Sequence, residues 1–258
     1  KAWAFFIYQK LHGKVIKAGM YTLPFDLSIV ELVDRFSSGE YLLTKITVPE
    51  GKRIEQVAAM LEDKKYFDYR EILSAAAGME GKLFPDTYYV GRKTTAEEFV
   101  KMMTDNFDKK ISGLNLTNDQ LALASIVERE SIKDEERPLI AGIYQNRLRI
   151  DMKLEADPTV LYANDSNNIT DISPYDATQY TFWQPIKFSL YKTIDSPYNT
   201  YIYNGLPKNP ICSPGIASIK AAQDPLKSEY IFFLHGSDGT LHPAKNNEEH
   251  EKNKELYL

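Results

Sequence analysis

Two stretches in the first quarter of this 258-residue chain repeat one another at a distance of 25 positions. Tyr21, Leu23 and Pro24 fall on Ile46, Val48 and Pro49, and Ile29, Leu32, Val33 and Phe36 fall on Ile54, Val57, Ala58 and Leu61. In each copy an alternating stretch runs into a proline, and apolar residues then recur at i, i+3, i+4 and i+7. Only a helix satisfies the second period, so each copy reads as a short strand, a Pro-led turn and an amphipathic helix. The chain therefore opens with two small β-α units.

From Tyr66 to Phe107 the pattern is helical, interrupted by a loop over 81–90. Phe84-Pro85 forces extended or turn backbone there, and Phe84, Tyr88 and Tyr89 are expected to pack beneath it. Gly113 and its turn-forming neighbours separate two helical stretches. We place a boundary there, giving an N-terminal region over 1–112 and a second domain over 113–258.

Composition excludes several classes. The hydrophobic fraction of 43 % and charged fraction of 26 % are those of a globular protein, and 17 Tyr with 12 Phe suit ring-stacking grooves as well as cores. A net charge of −5 offers no footprint for nucleic acid. The apolar opening up to Tyr8 is too short to span a membrane and lacks a cleavage pattern, so any membrane attachment is expected through an anchor preceding this chain. Cys212 is the single cysteine, which rules out an internal disulfide and a Cys-rich zinc site and reads as a buried hydrophobe. His12, His235, His242 and His250 show no metal-ligand spacing, and no nucleophile elbow, phosphate loop or dinucleotide fingerprint occurs. Neither a metal nor a cofactor is expected. The stretch from Glu248 to Glu255 reads as an exposed helical end of mixed charge.

The chemistry concentrates in the second domain. Thr117 and Gln120 form a capping box, with Leu116 and Leu121 as its hydrophobic staple, which fixes the phase of the following helix. At about 100° per residue, Leu123, Ile126 and Val127 share one face, and Glu130 lies within roughly 20° of its centre. Glu128 falls nearer the other side, with Leu121 and Ile132, where it is easier to solvate. A carboxyl group in an apolar stripe is desolvated when ionised, so its pKa rises toward the range of a general acid. Phase alone leaves a second reading open, a glutamate at a helix end paired with Arg129, Lys133 or Arg137.

Other groups gather around it. Asp157 in Asp-Pro-Thr is a candidate second carboxylate, although an Asx turn or an Asn or Arg partnership fits it as well. Asn146 and Arg147 lie on the inner face of the helix after Pro138, where Arg147 needs a partner such as a carboxylate, in a buried ion pair or beside substrate. Tyr198, Asn199 and Tyr201 offer rings and an amide suited to a sugar subsite. Thr159 and Thr200, in the same two segments, complete the candidate substrate-binding set.

Six blocks run in a characteristic order: Leu-Ala-Ser-Ile-Val-Glu-Arg-Glu ending at Glu130, then 143–148, 152–160, 195–201, 205–211 and 213–219. With Phe-Pro-Asp-Thr-Tyr at 84–88 and Pro-Glu-Gly at 49–51, this resembles the YceG-like (MltG) family of endolytic murein transglycosylases over nearly the whole chain. The turn and helix from Pro49 to Ala58 also resemble LysM-type glycan-binding modules, placing a LysM-like subdomain at about 44–112. Lys208-Asn209 and Cys212-Ser213 depart from the family's commoner loop residues, which touches subsite detail rather than chemistry.

The resemblance implies lytic cleavage of the β-1,4 bond between N-acetylmuramic acid and N-acetylglucosamine, leaving a 1,6-anhydro end, with Glu130 as general acid and base. Hydrolysis of such a bond ordinarily uses two carboxylates. Here the muramic 6-hydroxyl attacks from within the substrate, so one carboxyl group can serve in both steps. The implied partners are peptidoglycan strands and peptidoglycan synthases, and the implied location is the extracytoplasmic side of the cytoplasmic membrane. The alternatives are a non-catalytic peptidoglycan-binding scaffold of the cell-wall synthesis machinery and a hydrolytic muramidase. The expected fold is α+β: N-terminal β-α repeats, LysM-like in part, then a catalytic domain of helices and short strands, with 230–234 as a buried strand.

Overall fold

A computed structural model describes residues 2–21, 23–39 and 42–258; Lys1, in the apolar opening, and Thr22, in the first repeat strand, lie outside the described residues. The chain begins with α1 (Ala2–Leu11), and the repeat follows as β1 (Met20–Tyr21) with α2 (Ile29–Ser38), then β2 (Leu42–Thr47) with α3 (Ile54–Asp63). Ser28 and Glu31 close a capping box at the start of α2, and Gly39, at φ +72°, ends it in the left-handed region open to glycine. The second copy starts its helix differently. Arg53 gives no side-chain cap, and the Glu80 carboxylate accepts from the Ile54 N–H at 3.2 Å instead.

After α4 (Tyr69–Ala75), β3 (Thr87–Gly91) joins an antiparallel sheet of order β1-β2-β3, and α5 (Ala96–Lys110) follows. Opposite Ile46 in β2 stands Tyr88 in β3. Ile46, Val48, Tyr88 and Val90 are buried against Val57, Leu61, Ile72, Phe99 and Met103, forming a first core. The aromatic trio at 84–89 divides rather than packing together. Alternation along β3 turns Tyr89 outward, 40 % exposed, while Tyr88 faces the first core and Phe84 reaches a second one.

The rest of the chain is α6 (Asn118–Glu130), α7 (Arg137–Arg149), α8 (Asp157–Asn168), α9 (Pro174–Gln179), α10 (Ile216–Gln223), a hairpin of β4 (Phe232–His235) with β5 (Leu241–Ala244), and α11 (Asn247–Tyr257). The architecture is α+β. Thr117 caps α6 as its spacing requires, and α6, α7 and α10 pack through Leu123, Ile126, Ile140, Tyr144, Ile219 and Ala222 in the second core. Gly142 permits a close approach there: a Cβ would lie 2.1 Å from the Leu226 carbonyl oxygen. The stretch expected as a buried strand is instead one half of a two-stranded hairpin whose β4 residues are all half-buried, because β4 pairs with β5 alone. Among the described residues no helix is long and apolar enough to cross a membrane.

The two cores interlock. Phe84 and Phe107 belong to the second, and Ala177 of α9 belongs to the first. Arg53, 1 % exposed, crosses between them: its guanidinium pairs with Glu55 at 2.7 Å, donates to the Tyr162 carbonyl at 3.2 Å and to Ser166 Oγ at 2.9 Å, and lies 4.0 Å from the Tyr162 ring centroid. Nearby, Trp183 Nε1 donates to Gln56 Oε1 at 2.7 Å, and Lys52 and Ser213 form a one-residue β-bridge. Truncating one member of a buried ionic cluster strands the others, so Arg53→Ala should cost about 3–5 kcal/mol of unfolding free energy. Denaturant melts would show the midpoint falling at unchanged slope; a loss below about 1 kcal/mol would mean that Arg53 does not join the two cores.

Candidate active site

Glu130 is the last residue of α6, where the unpaired carbonyls of the helix end place partial negative charge. Its half-buried carboxyl accepts a hydrogen bond from the Tyr144 hydroxyl at 2.9 Å. Burial pushes its pKa up to about 7; Asp157 adds to the rise, while the Tyr144 hydrogen bond and the charges of Arg147 and Arg129 oppose it. Tyr144 in turn is held well above the ordinary phenol range, by burial first and by Glu130 second.

The ion pairs that could have neutralised Glu130 are made elsewhere. Arg137 pairs with Glu128 at 3.2 Å and with Asp134 at 2.9 Å, and the Arg129 guanidinium lies 4.4 Å from the Trp183 ring centroid. Among the described residues no ion pair reaches Glu130. The expectation that Glu128 is the more solvated glutamate is overturned. Its side chain is 6 % exposed, and its carboxylate also accepts from the Gly215 N–H at 3.0 Å and Ser218 Oγ at 2.7 Å, tying α6 to α10. Helix phase missed this because α6 is buried on every side over 121–127, not along one stripe.

Glu130 opens on a cleft of about 430 Å³ shared with Tyr144, Arg147, Glu155, Asp157 and Tyr201. Among the described residues Asp157, at the first turn of α8, makes neither an Asx turn nor an Asn or Arg pair. Its carboxylate accepts from Tyr201 at 2.5 Å and from Tyr191 at 3.2 Å. Burial and that contact push Tyr191 up to about 12. Both tyrosines stay protonated at neutral pH and can keep donating to Asp157.

Arg147 is buried as expected, but main-chain oxygens hold most of it. It donates to the carbonyls of Ile231 at 2.6 Å, Leu154 at 2.8 Å and Lys153 at 3.2 Å, with Glu155 at 3.6 Å. It thereby fixes the turn in which Glu155 takes φ +48°, a strained value for a side-chain-bearing residue at the cleft edge.

The remaining candidates build walls. Asn146 is buried, and its amide donates to the Ser228 and Tyr230 carbonyls at 2.9 and 2.8 Å, anchoring the approach to β4. Thr159 and Thr200 are buried with their hydroxyls 2.9 Å apart, and Thr200 Oγ1 accepts from the Ala156 N–H at 3.0 Å, securing the start of α8. Asn199 is buried and donates to the Tyr191 and Ile194 carbonyls at 2.7 and 2.8 Å, shaping the loop that presents Tyr201. Tyr198 borders not the Glu130 cleft but a separate hollow of about 450 Å³ shared with Glu55, Glu80 and Tyr162. Burial pushes Glu80 up to about 8 there. These small polar side chains resemble ligand-binding groups in sequence, because loop carbonyls and sugars attract the same donors.

Other cleft residues lie outside the sequence-derived set: Lys192, Phe188, the strand β4, and Asn247, His250 and Lys254 of α11. The C-terminal helix is thus not merely an exposed charged end. The only trace of its role is spacing, three polar residues at i, i+3 and i+7 within a helix polar all round.

The YceG-like family model matches residues 1–256. A protein of Streptococcus pneumoniae named endolytic murein transglycosylase is 30 % identical over 92 % of this chain and 50 % of its own length, and one of the same name from Bacillus subtilis is 28 % identical over 99 % of this chain and 77 % of its own. The chain spans about half the length of the first of these relatives. The 2.6 Å crystal structure of a Listeria monocytogenes protein described as yceG-like superposes with a TM-score of 0.69 at 27 % identity, covering 98 % of this chain and 90 % of that one. The chain belongs to the YceG-like family.

Proposed function

We propose that this chain cleaves peptidoglycan as a lytic transglycosylase acting within glycan strands, at the β-1,4 bond between N-acetylmuramic acid and N-acetylglucosamine, with Glu130 as acid and base. One observation carries the reading: a half-buried carboxyl, raised to about 7 and free of ion pairs among the described residues, opens on a cleft lined by rings and hydrogen-bonding groups. The names of the pneumococcal and Bacillus relatives agree with it.

At neutral pH a substantial share of Glu130 is protonated and can pass its proton to the bridging oxygen as the bond to C1 breaks. The carboxylate left behind takes the proton of the muramic 6-hydroxyl as that oxygen bonds to C1. The product is a 1,6-anhydro ring, and no water is consumed. Asp157, held by Tyr191 and Tyr201, faces the same cleft, where positive charge builds on the sugar ring in the transition state. Arg147 supports this work by holding the 153–155 turn. A two-carboxylate hydrolase is the reading set apart by product, since hydrolysis adds one water.

We further propose that β2, α3, α4, β3 and α5, at about 44–112, form the LysM-like module and bind glycan, that the chain works at the outer side of the cytoplasmic membrane behind an anchor preceding it, and that it acts beside peptidoglycan synthases. The boundary near residue 112 is proposed as the division between module and catalytic part.

Glu130→Gln should lower release of anhydro-muropeptides from purified sacculi by about 10²–10⁴-fold, read by mass spectrometry. Reducing ends in place of anhydro ends from the wild type would replace the lytic mechanism with hydrolysis, and equal activity in the variant would remove Glu130 from the chemistry.

Because the acid form starts the reaction, kcat/KM should fall as pH rises through about 7. Tyr144→Phe removes a hydrogen bond that favours the carboxylate, so the falling limb should move to higher pH. A limb that stays in place, or moves down, would contradict the assignment.

The same shift links to stability. A carboxyl whose pKa rises from 4.5 to about 7 on folding favours the folded chain most below about 4.5, and that contribution is lost as pH rises to about 7. Between those values the wild type should lose stability relative to Glu130→Gln in denaturant melts; a parallel pH dependence in the two proteins would argue against a raised pKa.

A further inference from the structure

We infer that the cleft-facing edge of α11 is a subsite for an N-acetylated sugar ring, with His250 as its central hydrogen-bond donor and Asn247 beside it. The inference rests on the reading that the cleft takes a glycan strand, and it adds a wall that neither the resemblance nor the sequence-derived residues include.

Asn247, His250 and Lys254 stand at i, i+3 and i+7, so they share one edge of the helix, and all three border the cleft that contains Glu130. Other residues of α11 fasten it to the β4–β5 hairpin. The Tyr257 ring stacks on His242 at 3.5 Å between centroids, and Asn253 donates to the Pro243 carbonyl at 3.3 Å. At the other end, Asn246 caps the helix by accepting from the Glu249 N–H at 2.9 Å. The edge that borders the cleft is therefore held in place before any ligand arrives, which lowers the entropic cost of binding.

His250 carries the argument. Its ring stacks on Phe232 at 5.1 Å and 20° between planes, and its Nδ1 is shut inside the protein with no hydrogen-bond partner. A buried N–H without an acceptor costs more than a bare lone pair on a weak acceptor, so the ring proton belongs on Nε2. Burial, helped by Lys254, also lowers the pKa of the ring, favouring the neutral imidazole. No hydrogen bond within the described protein occupies Nε2 either, so a neutral donor is left for whatever enters the cleft.

An acetamido carbonyl is a neutral acceptor of matching chemistry, and Phe233, which borders the same cleft, gives an apolar surface for a methyl group. Asn247 adds an amide able to donate and accept. Lys254 already pairs with Glu251 at 2.8 Å, which places the emphasis on neutral hydrogen bonding rather than on an anion.

The test uses glycan strands stripped of stem peptides by amidase as the probe. It measures their binding to Glu130→Gln, and to the same protein carrying in addition His250→Ala, His250→Gln or Asn247→Ala. His250→Ala should weaken binding roughly tenfold, the scale of one lost hydrogen bond, and His250→Gln should recover part of it through its side-chain N–H. In the otherwise wild-type enzyme His250→Ala should raise KM by a similar factor while kcat changes less than about threefold. Thermal melts check folding, and if His250→Ala disturbs α11, Asn247→Ala at the exposed first turn reads the same wall.

Unchanged binding in folded His250→Ala overturns the subsite. So does a loss seen only with strands that keep their peptides, which would make this edge a peptide-recognition surface. Failure of the parent reading looks different: the wild type would release no anhydro product, whatever the binding series shows.

Discussion

A carboxyl group denied a counter-charge is the constraint on which this structure turns. Glu130 ends a helix buried on every side over 121–127, at the pole where helix carbonyls already place negative charge. Three arginines are close in sequence or in space, yet each has another engagement. Arg137 joins Glu128 and Asp134, Arg129 covers Trp183, and Arg147 is spread over three backbone carbonyls. The result is an acid poised near neutrality, obtained by occupying its natural partners rather than by removing them from the neighbourhood. Glu128, two residues earlier, shows the opposite outcome of the same burial: given an arginine, a serine and a backbone N–H, it becomes a structural tie between helices.

The fold delivers this arrangement through α8. Its first turn offers Asp157 to the cleft, held by two tyrosines, while Tyr162 and Ser166 further along receive Arg53 from the repeat region. One helix therefore contacts both the cleft beside Glu130 and the N-terminal core. Glu80, raised to about 8 by burial, caps α3 one residue beyond Arg53, so a second perturbed carboxyl sits where the repeat region meets the rest.

Much of this was legible in the sequence, and the reasons differ by element. The repeat was legible because proline and a 3.6-residue period leave local marks, and both copies fold as a strand followed by a helix. Glu130 stood out because helix phase and the family-like run ending at it named the same residue, and its side chain borders a cleft. Contacts made across the chain were not legible. Whether Asn146, Thr159 and Thr200 meet a sugar or the protein depends on segments 41 or more residues away, and the path of its own loop decides the same for Asn199; in each case a carbonyl or a neighbouring side chain is the partner. Tyr89 and Tyr198 were placed with their neighbours, yet strand alternation turns one outward and the loop turns the other into a different hollow. The wall formed by α11 was hidden for a further reason. A helix whose polar residues are spread all round gives no periodic signal of the edge that faces a ligand.

The most direct measurement is site-resolved carbon NMR of the Glu130 carboxyl, assigned against the Glu130→Gln variant and followed through a pH titration of the folded chain. The structure calls for a midpoint near 7. A midpoint near 4.5, the ordinary value for a glutamate, would mean that the carboxyl is solvated or paired, and the account of its chemistry would not stand.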